Sequence, residues 1–143
     1  MNWVILQIAA KYLKWLLFVF AVLALFRGHN NPGGGFIGGL MAGLAIVYRG
    51  FAFDASHLEA AFKNMPWQFT GGGLLAIFLS FLPSVFLQQS LMTGVWMKIP
   101  LPFGGPLKLG TPFLFETGVF FVVTGVTLLF VFSLTQKKEW KSF

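Results

Sequence analysis

The sequence predicts an all-α integral membrane protein: about four transmembrane helices, a short interfacial helix, and a small extramembrane β-hairpin before the last helix. Three observations carry this expectation. Hydrophobic residue types make up 57% of the 143 residues and charged ones only 10%, against about 25% charged in soluble domains. The mean hydropathy is +0.79. Apolar runs long enough for spans alternate with short polar or Gly/Pro-rich connections. At this length one domain is expected, covering 1–143.

The first run, residues 3–26, is apolar except for Gln7, Lys11 and Lys14. The core of the span is placed at 12–26, where Arg27 closes it. Residues 3–11 are placed in or near the interface, so that the lysine stems reach the head groups. No pattern of basic region, short apolar region and small-residue cleavage site precedes a polar chain. The first run therefore reads as a retained span.

Residues 28–35 form a polar Gly/Asn/Pro connection, and residues 36–53 the second span. Gly35, Gly39 and Gly43 recur every four residues, and Gly34 with Gly38 repeats the spacing. Small residues at this spacing let two helix backbones approach closely. That ridge is expected to pack against another helix, in this chain or in a partner.

Residues 54–67 are the one stretch of soluble character. Ser56 and Glu59 fit a capping box. Leu58, Ala61, Phe62 and Met65 form one apolar stripe, Glu59 and Lys63 are spaced as a pair, and Pro66 is expected to end the helix. This predicts a short amphipathic helix lying on the membrane. His57 falls off the stripe and reads as solvated.

The third span is placed at 68–89, opened by Gly71-Gly72-Gly73 and interrupted by Pro83, with Gln88 and Gln89 closing it. Residues 90–112 hold Pro100, Pro102, Pro106 and Pro112 with Gly94, Gly104, Gly105 and Gly110, a density that excludes a continuous helix. The segments around 95–101 and 107–109 are expected to pair about Gly104-Gly105, at an edge because of the prolines. The fourth span is placed at 113–135, with Lys137, Lys138, Trp140 and Lys141 anchoring its end.

Four spans put both termini on one side. Lys11, Lys14, Arg49, Lys63, Lys137, Lys138 and Lys141 fall with the termini, and Arg27, Lys98 and Lys108 opposite. The excess places the termini in the cytoplasm.

Composition also excludes functions. The chain has no cysteine, which removes disulfides, thiol chemistry and Cys-bound metal. The net charge of +6 flanks apolar runs and forms no nucleic-acid stripe. Gly33-Gly34-Gly35 lacks the G-K-[ST] ending of a phosphate loop. His29 and His57 fall on opposite sides of the membrane, so they form no metal pair. No enzyme constellation is present, and neither a metal nor a cofactor is expected.

Two places remain where chemistry is open. Glu116 is placed about one turn into the fourth span, near Thr117. Thr117 and Thr124 share a helix face, as do Gly118 and Gly125. A carboxylate at that depth faces protein or a wet cavity and serves as a cation or proton site, or it sits near the surface and is stabilised by a helix N-terminus. The second place is the connection itself. Pro32 restricts Asn31 to extended backbone, and the glycines let backbone approach a neighbour. Phe36 is the first bulky residue afterwards and reads as an anchor. If the connection dips into the membrane, its free backbone groups must be met by protein or water. Otherwise it is a tight turn outside the bilayer. His29 reads as a structural hydrogen-bonding residue or as a proton carrier.

The run Gly28-His-Asn-Asn-Pro-Gly-Gly-Gly-Phe-Ile-Gly-Gly-Leu40 resembles the signature of the MnhB family, small membrane subunits of the Mrp-type multisubunit sodium/proton antiporters. In that family a G-H-N-x-P-G-G-G-F-I-x-G-L stretch joins the first two membrane helices, and every fixed position is present here. The resemblance implies a non-catalytic, multi-pass subunit of a hetero-oligomeric complex in the bacterial plasma membrane. It helps build the sodium-handling side, with the other subunits and the bilayer as partners and Na+ and H+ as the transported ions. Related subunits occur in complex I-related, membrane-bound hydrogenase-type complexes, which is the alternative setting. The chain shows no internal repeat of the kind from which many transporters are built, which agrees with a subunit role. The residues expected to shape an ion pathway or gate are His29, Asn30, Pro32, Gly33, Gly34, Gly35, Phe36, Glu116 and Thr117. Those expected at a helix contact are Gly35, Gly39 and Gly43.

Overall fold

A computed structural model describes residues 3–28, 33–53, 64–88, 90, 93–99 and 107–136. Four helices lie among them: α1 (Trp3–Gly28), α2 (Gly34–Phe53), α3 (Met65–Phe86) and α4 (Thr111–Gln136). By length and composition, three stretches suffice to cross a membrane: Gln7–Gly28, Met65–Phe86 and Thr111–Leu134. In α2 the apolar stretch Gly34–Gly50 is shorter.

Several boundaries differ from expectation, each for a local reason. The first helix is continuous from Trp3 and does not divide at residue 11, because nothing in residues 3–27 breaks a helix. Its 26 residues extend about 39 Å, with Arg27 in the last turn, where a cation suits the helix dipole. Pro66 does not end an amphipathic helix. It sits in the first turn of α3, where its missing N–H costs nothing, and Met65 therefore belongs to α3. That helix is not opened by Gly71-Gly72-Gly73, which lie in its second and third turns, and it continues through Pro83 to Phe86. Likewise α4 starts at Thr111, with Pro112 in its first turn. The expected amphipathic helix over 56–63 with His57, the turn at Gly104-Gly105, and the anchor at 137–141 lie outside the described residues.

Two strands, β1 (Trp96–Ile99) and β2 (Leu107–Gly110), pair antiparallel with Trp96 opposite Gly110 and Ile99 opposite Leu107. The second runs straight into α4. Thr111 N–H donates to the Val95 carbonyl at 3.0 Å, and Val95 N–H donates to Thr111 Oγ1 at 3.1 Å. Ser84 Oγ donates to the Thr93 carbonyl at 2.8 Å, so the end of α3 is tied to the same corner.

The helices stand in single file, in the order α1, α2, α4, α3. Neighbours α1 and α2 run antiparallel, since Gly34 meets Gly28 and Gly38 meets Ala21. By the same reading α2 and α4 run parallel: Gly35, Gly39 and Gly43 meet Glu116, Phe120 and Thr127 in ascending order. In the last pair α3 and α4 are antiparallel, with Gly73 against Gly118 and Pro66 against Gly125.

The interior is built from small side chains. Ala21, Ala42, Ala45 and Ala52 are buried, while Tyr12, Trp67 and Phe86 are exposed. That inversion is expected of helices in lipid. There burying an apolar side chain gains little, and association comes from close packing and hydrogen bonds. Polar groups inside are met: Ser80 Oγ donates to Ile77 O at 2.6 Å, and no buried side-chain N or O among the described residues lacks a partner.

Candidate functional site

The site is where α2 begins. Gly33 has φ +97°, a conformation that a Cβ would strain. Its carbonyl accepts the first helical hydrogen bond, from Ile37 N–H at 3.2 Å. The N–H groups before Ile37 have no acceptor within their own helix. One is met from far away in sequence: Gly35 N–H donates to Glu116 Oε2 at 2.5 Å.

This contact needs glycine. A Cβ on Gly35 would collide with the backbone carbonyl of Glu116 and lie 2.7 Å from its Oε2. A Cβ on Gly34 would collide with Gly28 and with the Ala24 carbonyl. Adjacent helix residues point about 100° apart. The Gly34/Gly38 line therefore faces α1, and the Gly35/Gly39/Gly43 line faces α4. Further along the second line, a Cβ on Gly39 would lie 2.7 Å from the Phe120 carbonyl, and one on Gly43 2.8 Å from Thr127 Cγ2. Between them Thr124, fully buried, places Oγ1 at 2.8 Å from the Phe120 carbonyl of its own helix and 3.1 Å from the Gly39 carbonyl of α2.

Glu116 is half-buried and lies in the second turn of α4, beyond the first turn of its own helix. The helix start that receives it belongs to α2. A carboxylate there is favoured by the α2 dipole and by a charge-assisted hydrogen bond. Thr117, next in sequence, turns its hydroxyl back to the Phe113 carbonyl at 2.7 Å and makes no bridge to α2 by that bond. Phe36 is half-exposed on the outer side of α2. His29, Asn30, Asn31 and Pro32 lie outside the described residues.

On the α1 side of the same helix start there is a cavity of about 460 Å³, lined by Phe20, Leu23, Ala24, Arg27, Gly28, Gly33, Gly34, Ile37 and Met41. Glu116 does not line it. The structure thus brings Gly33, Gly34, Gly35 and Glu116 to one corner, with a void on one flank and the acid on the other.

A family profile described as a domain related to the MnhB subunit of Na+/H+ antiporters matches residues 5–129. The chain belongs to the MnhB family. Among similar MnhB-family proteins is a Na(+)/H(+) antiporter subunit of Alkalihalophilus pseudofirmus, 32% identical over 139 residues and covering 94% of each chain. The protein of the same name from Bacillus subtilis is 31% identical over 140 residues and covers 96% of each. In this chain the family's glycine-rich stretch and its last helix meet in space, a pairing across 81 positions that no local pattern announces. The partial signal in sequence is an acid close to the start of an otherwise uncharged helix.

Proposed function

We propose that this chain is a non-catalytic subunit of a multisubunit Na+/H+ antiporter of the bacterial plasma membrane, with other subunits as its partners. In this reading α1 to α4 form one four-span transmembrane domain with cytoplasmic termini. The corner of Gly33–Gly35 and Glu116 contributes to the sodium-handling side. Antiporter names among the relatives favour this setting over a hydrogenase-type complex.

The observation that carries the corner's role is the Glu116–Gly35 hydrogen bond. The carboxylate has one oxygen committed to the start of α2 and a second oxygen with acceptor capacity left. A cation or proton arriving at Glu116 weakens its hold on the Gly35 N–H. Occupancy of the acid is thereby coupled to the position of the α1–α2 connection and to the void beside it. Ion-dependent movement of that connection is the gate.

Glu116→Gln tests this in everted vesicles, with complex assembly followed on native gels. Glutamine keeps an acceptor for Gly35 and removes the charge. The expected outcome is an assembled complex whose antiport requires a higher Na+ concentration. An unchanged Na+ dependence in an assembled complex assigns Glu116 to architecture alone.

A further inference from the structure

At the opposite end of the α1–α2 pair a groove of about 300 Å³ is lined by Lys14, Trp15, Phe18, Ala45, Ile46 and Arg49. Its chemistry is graded along its length. Lys14 and Arg49 stand at one end and Phe18 and Ala45 one helical turn further along. Ala45 is buried, while Trp15 and Phe18 are exposed walls; a small residue flanked by two large ones leaves a trough. Lys14 Nζ lies 5.1 Å from the centre of the Trp15 ring, within cation–π range, and Trp15 meets Phe18 edge-on at 6.5 Å. The apolar stretch of α2 ends at Gly50, beside Arg49. Tryptophan, lysine and arginine at one level are the composition of a membrane–water boundary.

We propose that this groove binds an anionic phospholipid, with its phosphate between Lys14 and Arg49 and one acyl chain along Trp15, Phe18, Ala45 and Ile46. Charge and shape both point to that occupant. Among the described residues, two cations and no carboxylate line the groove, and basic pockets between membrane helices hold anionic head groups. A zwitterionic lipid brings its own ammonium towards two cations and gains less. The ligand must also carry its charge and its apolar part end to end, in the order that the groove presents them. This site lies on other residues than the Glu116 corner and does not depend on the role proposed for that corner.

The test uses the assembled complex in phosphatidylethanolamine nanodiscs doped with phosphatidylglycerol that carries a photoactivatable group on its acyl chain. Labelling is expected on the peptides holding Phe18 and Ile46. Unlabelled phosphatidylglycerol should compete, and an equal excess of phosphatidylcholine should not. Lys14→Gln with Arg49→Gln should lower the labelling about thirtyfold, from the attraction of about 1 kcal/mol per basic side chain, whereas Lys14→Arg should keep it. Equal labelling of the double variant in an assembled complex overturns the proposal. So does equal competition by both lipids, which decides the matter on the unmodified complex if the double variant fails to assemble. A benzoylphenylalanine at Ile46 that captures another subunit also overturns it, and makes the occupant an acidic protein segment.

Discussion

The two seams of α4 are built by different means. Towards α2, the glycines all sit on the partner helix, at Gly35, Gly39 and Gly43, and α4 answers with full side chains at Glu116, Val123 and Thr127. Glu116 Oε2 and Thr124 Oγ1 also reach across to backbone groups of α2. Towards α3 the glycines are shared, with Gly73 on one helix and Gly118 and Gly125 on the other. The hydroxyls of α3 that accompany this seam turn inward: Thr70 Oγ1 donates to Pro66 O at 2.9 Å and Ser80 Oγ to Ile77 O. One seam is steric contact plus directed polar bonds; the other is close backbone contact. A charged group that holds a neighbouring helix start can be released by an ion, whereas a backbone contact cannot. The difference places responsiveness on the α2 side and anchoring on the α3 side.

The largest expected effect erases the distinction by force. Gly39→Leu drives its side chain into the Phe120 carbonyl and Val123, and Gly118→Leu does the same against the Gly73 carbonyl, which lies 2.8 Å from where a Cβ would stand. Backbone cannot yield as a side chain does. Both variants should therefore lose the complex from native gels and reduce subunit levels in the membrane. Overpacking of this kind costs about 1–3 kcal/mol or more. An intact complex with either substitution would show that the seam opens without penalty.

A smaller change separates the two seams. Thr124→Val keeps the side chain's shape and removes the hydroxyl that lies between Phe120 O and Gly39 O. Cross-helix hydrogen bonds in membranes average about 0.6 kcal/mol, so a drop of a few degrees in the thermal midpoint of the complex is expected. Ser80→Ala beside the α3 seam should move the midpoint less, because its hydroxyl bonds within its own helix. A larger fall for Ser80→Ala would reverse the ranking.

The smallest effect is expected at Gly71, on the outer face of α3, where nothing lies within 4 Å of an added Cβ. Alanine is the better helix former by about 1 kcal/mol. Gly71→Ala should thus leave the midpoint unchanged or slightly raised. A loss of assembly would reveal a helix of another subunit lodged against this face.

Much of the helical framework was legible because apolar runs of about twenty residues are hard to read otherwise. Boundaries were less so. Lys11 and Lys14 suggest where the bilayer ends, yet they do not interrupt a helix, and α1 runs through both. Pro66 stops a helix or starts one depending on which side the next apolar run lies, and here it starts α3. The four-residue glycine spacing was visible, but spacing carries no address: it could not say that one line faces α1 and the other α4. Glu116 stood out as a lone acid, while its partner, a backbone N–H in another helix, leaves no trace in side-chain pattern.

Single-file order has a consequence for transport. A row of helices resembles a partition: it has two broad faces and encloses no lumen. Any water-filled route beside it must take its remaining walls from neighbouring polypeptides. The ion's path is thus a property of the joint between chains, and this chain contributes one side of it.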